Sequence, residues 1–192
     1  MELEASVIDC RVPQPDERAE RELIERARRD PEAFTRLYRM HYARIAGYLQ
    51  RRTGCRAVTE DLLSDVFLIV LKRLPRYECR EAPFRFWLYR IASNAVNQWA
   101  RSERRRRRRD ARHAAEQDRR RSGRDEEDDP NRDRVREALL SLSPQQQTLL
   151  VLHYREQLDI EHLAIVHGRP PGTIKSRLHR AREALRAALN ER

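Results

Sequence analysis

Between Arg101 and Asp129 the chain reads RSERRRRRRDARHAAEQDRRRSGRDEEDD, which offers almost no large apolar side chain to a hydrophobic core. Ordering a residue costs on the order of 1–2 kcal/mol of backbone entropy, and a segment without apolar surface has little to set against that cost. Residues 110–131 are therefore expected to be a disordered, charged linker. The charge also changes sign within the stretch. Arg101 to Arg124 carry 12 basic and 4 acidic groups, and Asp125 to Asp129 are all acidic. The chain is expected to hold two folded modules, one on each side of this stretch. It is expected to be all-α, with two small helical domains at residues 30–109 and 132–192 and a partly helical N-terminal extension at 1–29.

The totals exclude several classes. Among 192 residues there are 41 Lys+Arg and 31 Asp+Glu, a net charge of +10 that suits a polyanionic partner. The longest wholly apolar run, Val66 to Leu71, is six residues, far short of the roughly 20 that a membrane-spanning helix needs. No basic-then-apolar leader opens the chain, so a cytoplasmic location without membrane insertion is expected. Cys10, Cys55 and Cys79 are too few and too scattered for a disulfide framework or a zinc knuckle, and no metal or other cofactor is expected. No Ser/His/Asp or Cys/His grouping has a recognisable catalytic spacing, so an enzyme is not expected either. Only two basic residues, Lys72 and Lys175, are lysines. An arginine fork suits phosphate and guanine edges, although a bias toward arginine also follows from genomic base composition.

Helical signals fill the first module. Asp30-Pro31 is a capped start, and Phe34, Leu37, Tyr38, His41, Tyr42, Ile45 and Leu49 repeat at three-four spacing until Gly54. Thr59 is the expected cap of the next helix, which ends at Pro75. Pro83 opens a third helix through FRFWLYRIASNAVNQWARSERRR, and Asp16 to Arg29 form an amphipathic segment expected to pack on the bundle. In the third helix Phe84, Leu88, Ile91, Ala95 and Trp99 share the core stripe. Phe86, Arg90, Ser93, Asn94, Asn97 and Arg101 share the opposite one. Phe86 is then expected to be exposed. Flat apolar faces for stacking, amides for base edges and cations for the backbone are what unpaired bases require. A solvated face carrying one stray aromatic is the alternative on the residues alone.

The second module carries Arg132 to Leu142, then Ser143-Pro144 opening a helix from Gln145 to Glu156. Asp159 caps a short helix, the turn His167-Gly168-Arg169-Pro170 follows, and Pro171 opens a longer one. Two helices across a short glycine-containing turn make a helix-turn-helix candidate. In the last helix Ile174, Leu178, Ala181, Leu185 and Ala188 form a narrow inner stripe. Lys175, Ser176, His179, Arg180, Glu183 and Arg186 point away from it. A polar, cationic outer face on the second helix of such a pair fits the major groove. A plain solvated terminal helix is the alternative.

TEDLLSDVFLIVLKRL followed by FRFWLYRIASNAVNQWARSERRR resembles region 2 of bacterial RNA polymerase sigma factors, and ALLSLSPQQQTLLVLHYREQLDIEHLAIVHGRPPGTIKSRLHRAREALR resembles their region 4. The two in this order, over about 130 residues, resemble the extracytoplasmic-function group. The resemblance implies a factor that binds core RNA polymerase through its largest and second-largest subunits, with promoter DNA and an anti-sigma factor as further partners. It implies promoter recognition and DNA opening by reading of the −35 duplex and capture of the unpaired −10 strand. Carried over by position, the −35 contacts fall on Thr173, Lys175, Ser176, Arg177, His179, Arg180 and Arg182. The −10 contacts fall on Arg76, Tyr77, Phe86, Arg90, Asn94, Asn97 and Arg101, and the core-polymerase contacts on Glu60, Asp61 and Asp65. The resemblance implies that the linker threads toward the RNA exit path; its strongly basic first half is unexpected there, and holding duplex DNA backbone between the two elements is the alternative. Gln98, Trp99, His162, His167 and Pro170-Pro171 depart from the family pattern and bear on the exact −10 and −35 preferences. A DNA-binding regulator that uses the helix-turn-helix alone is the rival reading.

Overall fold

A computed structural model describes residues 17–78, 82–114 and 130–190, with Cys10, Cys79 and 115–129 outside them. Several of the described helices start or stop for a local chemical reason. Helix α1 (Glu17–Ala27) buries Ile24 against α2 (Pro31–Thr53). Helix α2 opens where Asp30 Oδ1 accepts from the Glu32 amide at 2.9 Å, and it closes at Gly54 in the left-handed conformation (φ 65°), which glycine adopts without a Cβ penalty.

Helix α3 spans Arg56–Arg73, with Cys55 at the cap position, four residues before the expected Thr59. Thr59 is buried, with its hydroxyl 2.8 Å from Gln50 Oε1, 2.9 Å from the Cys55 carbonyl and 2.7 Å from the Thr53 hydroxyl. It ties α3 to the end of α2 instead of capping. Glu60 and Asp61 consequently lie in the second turn, where the helix dipole acts weakly. A 3₁₀ turn at Leu74–Arg76 follows, and α4 runs over Phe84–Ala114.

Helix α4 corrects the expected linker boundary. It continues through residues 110–114, and Pro130 already belongs to α5 (Pro130–Ser141), so both ends of the 110–131 segment are helical. Arginine is a strong helix former, and Glu103 pairs with Arg107 at 2.8 Å and Arg106 at 3.1 Å across one turn. The remainder, 115–129, falls outside the described residues.

In the second module Ser143 and Gln146 form a capping box that starts α6 (Pro144–Tyr154). Asp159 accepts from the His162 amide at 2.8 Å to start α7 (Ile160–His167), which ends at left-handed Gly168 (φ 59°). Helix α8 (Pro171–Asn190) buries Ile174, Leu178 and Ala181 against α5, α6 and α7. The architecture is all-α, with four helices in each module among the described residues. The modules also touch: α4 packs on α6 and α7, so that one apolar core runs from Ile24 through Leu88 and Val96 to Leu152 and Ala181.

Candidate nucleic-acid interface

Three surfaces hold the residues singled out above, in different states. The first is the outer face of α8. Lys175, Ser176, Arg177, His179 and Arg180 are exposed, and Thr173 is half-buried in the first turn, its amide 3.0 Å from the Pro170 carbonyl. The narrow inner stripe anchors the helix while this side stays open to solvent. Arg182 differs from its neighbours. Its guanidinium turns back to α6, 3.3 Å from His153 Nε2 and 5.6 Å from the Tyr154 ring centre, so it braces the helix pair. In the turn before α8, burial and the nearby Arg177 and Arg90 cations pull His167 down to about 4, so its imidazole is neutral at physiological pH.

The second surface is the α4 stripe, which the structure places against the second module. Phe86 is only 2% exposed, contrary to the exposure expected from the helical projection. Its ring stacks on His162 of α7 at 4.4 Å and 25°, with the Arg85 guanidinium 4.4 Å from its centre. Arg90 donates to the Val166 carbonyl at 3.1 Å and to the Ile165 carbonyl, at the negative end of α7. Asn97 is buried, and its Oδ1 accepts from Arg52 at 2.8 Å and from the Thr148 hydroxyl at 2.9 Å. Tyr77 is buried too, donating to the Ala82 carbonyl at 2.6 Å and packing edge-on against Phe84. Asn94, Arg76 and Arg101 remain exposed. Asn94 lines a polar cavity of about 210 Å³ with Arg90, Ser93, Asn97, His167 and Gly168.

Helical projection missed this contact because it marks which residues share a face, whereas Phe86 is buried by helices some 75 residues further on. The projection does contain one overlooked signal. Arg52 continues the stripe Leu37, His41, Ile45 and Tyr48, so a cation falls where α2 is buried. There it is 2% exposed and donates to Asn97, Gln147 and the Pro144 carbonyl. Burial lowers its pKa, and none of these three acceptors carries a charge. Glu156 completes the contact, accepting from Tyr89 at 2.5 Å and pairing with Arg51. Burial and the Glu156 carboxylate hold the Tyr89 phenol far above its usual range.

The third surface is the outer side of α3. Glu60, Asp61 and Asp65 are exposed there, beside Leu68 (52% exposed) and Leu71 (47%). Leu68 and Leu71 are the large apolar side chains of α3 left most open to solvent, and the three carboxylates lie on the same helix. Among the described residues, no group of three or more His, Cys, Asp or Glu side chains is placed to hold a metal ion. None of the described helices is long and apolar enough to cross a membrane.

Comparisons with known proteins match the two modules one by one. The family model of sigma-70 region 2 matches residues 37–106, and that of sigma-70 region 4 matches 132–185. The chain is 34% identical over 165 residues to the RNA polymerase sigma factor CarQ of Myxococcus xanthus, covering 83% of this chain and 91% of CarQ. It is 32% identical over 167 residues to the ECF sigma factor BldN of Streptomyces coelicolor, spanning 83% of this chain but 62% of that longer protein. Among solved structures, CnrH in complex with the cytosolic domain of CnrY matches with a TM-score of 0.63 at 22% identity, over 90% of this chain and 98% of CnrH. RpoE from Bartonella quintana, bound to the anti-sigma factor NepR, matches with a TM-score of 0.57 at 22% identity, over 82% and 96%. Those two likenesses establish the shared fold.

A region 2 bundle followed by a region 4 helix-turn-helix defines the chain as a member of the sigma-70 family, a specificity subunit of RNA polymerase that serves transcription initiation. Within that family it is a sigma factor of the extracytoplasmic-function group.

Proposed function

We propose that this sigma factor directs core polymerase to promoters by dividing the reading between its modules. Helix α8 enters the major groove of the −35 element, and the α4 stripe with the Arg76–Ala82 segment captures the unpaired −10 strand. The observation that carries this reading is the open polar face of α8. Lys175, Ser176, His179 and Arg180 stand free of the helix-turn-helix core that positions them. Arg180 is assigned to a guanine edge, and Lys175 and Arg177 to phosphates. A bidentate base contact is worth roughly 1–3 kcal/mol of discrimination.

The outer side of α3 docks on the largest subunit through Glu60, Asp61 and Asp65, with Leu68 and Leu71 supplying apolar area. The second module binds the second-largest subunit. Binding energy from both promoter elements offsets the few kcal/mol required to unstack each base, and the chain itself makes or breaks no covalent bond. An anti-sigma factor holds the protein in reserve, and the work is done in the cytoplasm beside the polymerase. With holoenzyme, Arg180→Ala should flatten the ranking of −35 variants. A uniform loss across all variants would contradict the assignment. A regulator acting without polymerase would bind its sites as tightly with core polymerase absent.

A further inference from the structure

We propose that Arg28, with helix α1 behind it, is a strut that positions the segment between α3 and α4. Arg28 is then a positioning residue that sets −10 specificity without touching DNA, which rests on the assignment of the Arg76–Ala82 segment to the unpaired strand made above.

Helix α1 precedes residues 37–106, which the region 2 family model matches, and every residue assigned above to DNA or polymerase lies after it. It is nevertheless tied down near both ends. Just past its last turn, Arg28 Nη2 donates to the Tyr77 carbonyl at 2.5 Å, 49 residues away in sequence, while Nη1 pairs with Glu25 at 2.9 Å. The side chain is half-buried, and its Nε is buried with no hydrogen-bond partner. A solvated surface arginine would keep that nitrogen in water, so the Tyr77 bond and the Glu25 pair hold the guanidinium inward against a desolvation cost. Near the start of α1, Glu20 Oε1 lies 3.0 Å from Nε2 of the buried His41, whose ring centre is 5.1 Å from that of Phe84. Phe84 in turn meets Tyr77 edge-on at 5.5 Å. Two routes from α1, one through a hydrogen bond and one through packed rings, converge on Tyr77.

Tyr77 is where such a hold takes effect. Its amide donates to the Leu74 carbonyl at 3.1 Å, which fixes it to the turn that follows α3. Its hydroxyl donates to the Ala82 carbonyl at 2.6 Å, and its ring centre lies 4.7 Å from that of Trp87 in α4. One buried residue therefore joins both ends of the Arg76–Ala82 segment, and Arg28 holds that residue by its backbone. A segment already in place loses less conformational entropy when it takes up a strand, and its contacts tell one base from another only while their positions are fixed. Releasing Arg28 should weaken discrimination at −10 and leave −35 reading, assigned to α8, as it was.

Two substitutions separate the hydrogen bond from the packing. Arg28→Met keeps an apolar stem and loses every donor, whereas Arg28→Lys keeps a charged donor on a stem of similar length. Holoenzyme is made with each full-length variant. A promoter fragment that the wild-type holoenzyme transcribes is prepared as two barcoded pools, one randomised across its −10 element and one across its −35 element, and run-off products are counted by sequencing. Arg28→Met should compress the spread between favoured and disfavoured −10 sequences at least about fivefold, with the −35 ranking and the capture of core polymerase unchanged. Arg28→Lys should recover part of that spread. Should circular dichroism show helix lost in Arg28→Met, Glu20→Gln loosens the strut at its other end and carries the same expected split. A −10 ranking unaltered by Arg28→Met, an equal loss in both pools, or a lysine variant no better than methionine overturns the strut. Arg76→Ala and Asn94→Ala, run alongside, test the premise. If they flatten the −10 ranking and Arg28→Met does not, the strut alone fails; if they too leave it unaltered, the strand assignment fails with it.

Discussion

Removing the Arg52 side chain probes the buried polar contact between the modules most sharply. Its guanidinium makes three hydrogen bonds in a site that is 2% exposed. The Thr148 hydroxyl lies 2.9 Å from Asn97 Oδ1 and 3.0 Å from the Pro144 carbonyl, and its single proton serves one of them at a time. Gln147 Oε1 loses its Arg52 donor, although its amide nitrogen stays bonded to the Leu140 and Leu142 carbonyls. In Arg52→Ala an orphaned buried acceptor costs about 1–3 kcal/mol, and the emptied volume adds to that. Release of a cation buried without a counter-charge works in the opposite direction. The net expectation is a loss of about 2–3 kcal/mol, or roughly 5–10 °C in Tm for a chain of this size. Arg52→Met keeps most of the volume but orphans the same acceptor, so it should cost about 1–2 kcal/mol, less than Ala by the cavity contribution. Urea unfolding followed by far-UV circular dichroism measures both. Equal losses for Ala and Met would show that the lost hydrogen bonds and not the emptied volume set the cost, and a loss under about 0.5 kcal/mol for Ala would refute the buried network.

His167 titrates near 4 when folded and near 6.5 when unfolded, so the unfolded chain binds the extra proton between those values. Stability should rise with pH across that window and fall by up to about 3 kcal/mol on acidification through it. His167→Asn should remove most of the slope in unfolding curves taken between pH 4 and 7. Gly168→Ala meets no clash, since the nearest atom, Arg90 Nη2, lies 3.9 Å from the new Cβ; it should still cost about 1–2 kcal/mol because φ is +59°, readable as a lower Tm. Reversing Asp61 and Asp65 to lysine should reduce capture of core polymerase at least about tenfold with the melting curve unchanged, because both side chains face solvent.

What the sequence made legible is local. Asp30 and Gly54, Ser143, and Asp159 with Gly168 each bond backbone groups a few residues away, so composition and spacing reveal them. The inner stripe of α8 is likewise carried within one helix, and so is its open cationic side. Thr59 misled because its hydroxyl has two uses, capping and bridging, and packing against Gln50 selected the second. Phe86 and Asn97 misled for a larger reason. Their burial is decided by helices contributed from beyond the charged segment, which no periodicity within α4 encodes. The run Arg104 to Arg109 carries two properties at once, since the charge that keeps it out of a core does not prevent the helix that arginine favours.

Run-off transcription with purified core polymerase, with and without this chain, on a library of fragments from its own genome tests the central claim most directly. Discrete transcripts that start at a shared upstream motif, and that need the chain, are the expected result. Core polymerase that gives the same transcripts without the chain, or none with it, would contradict the account.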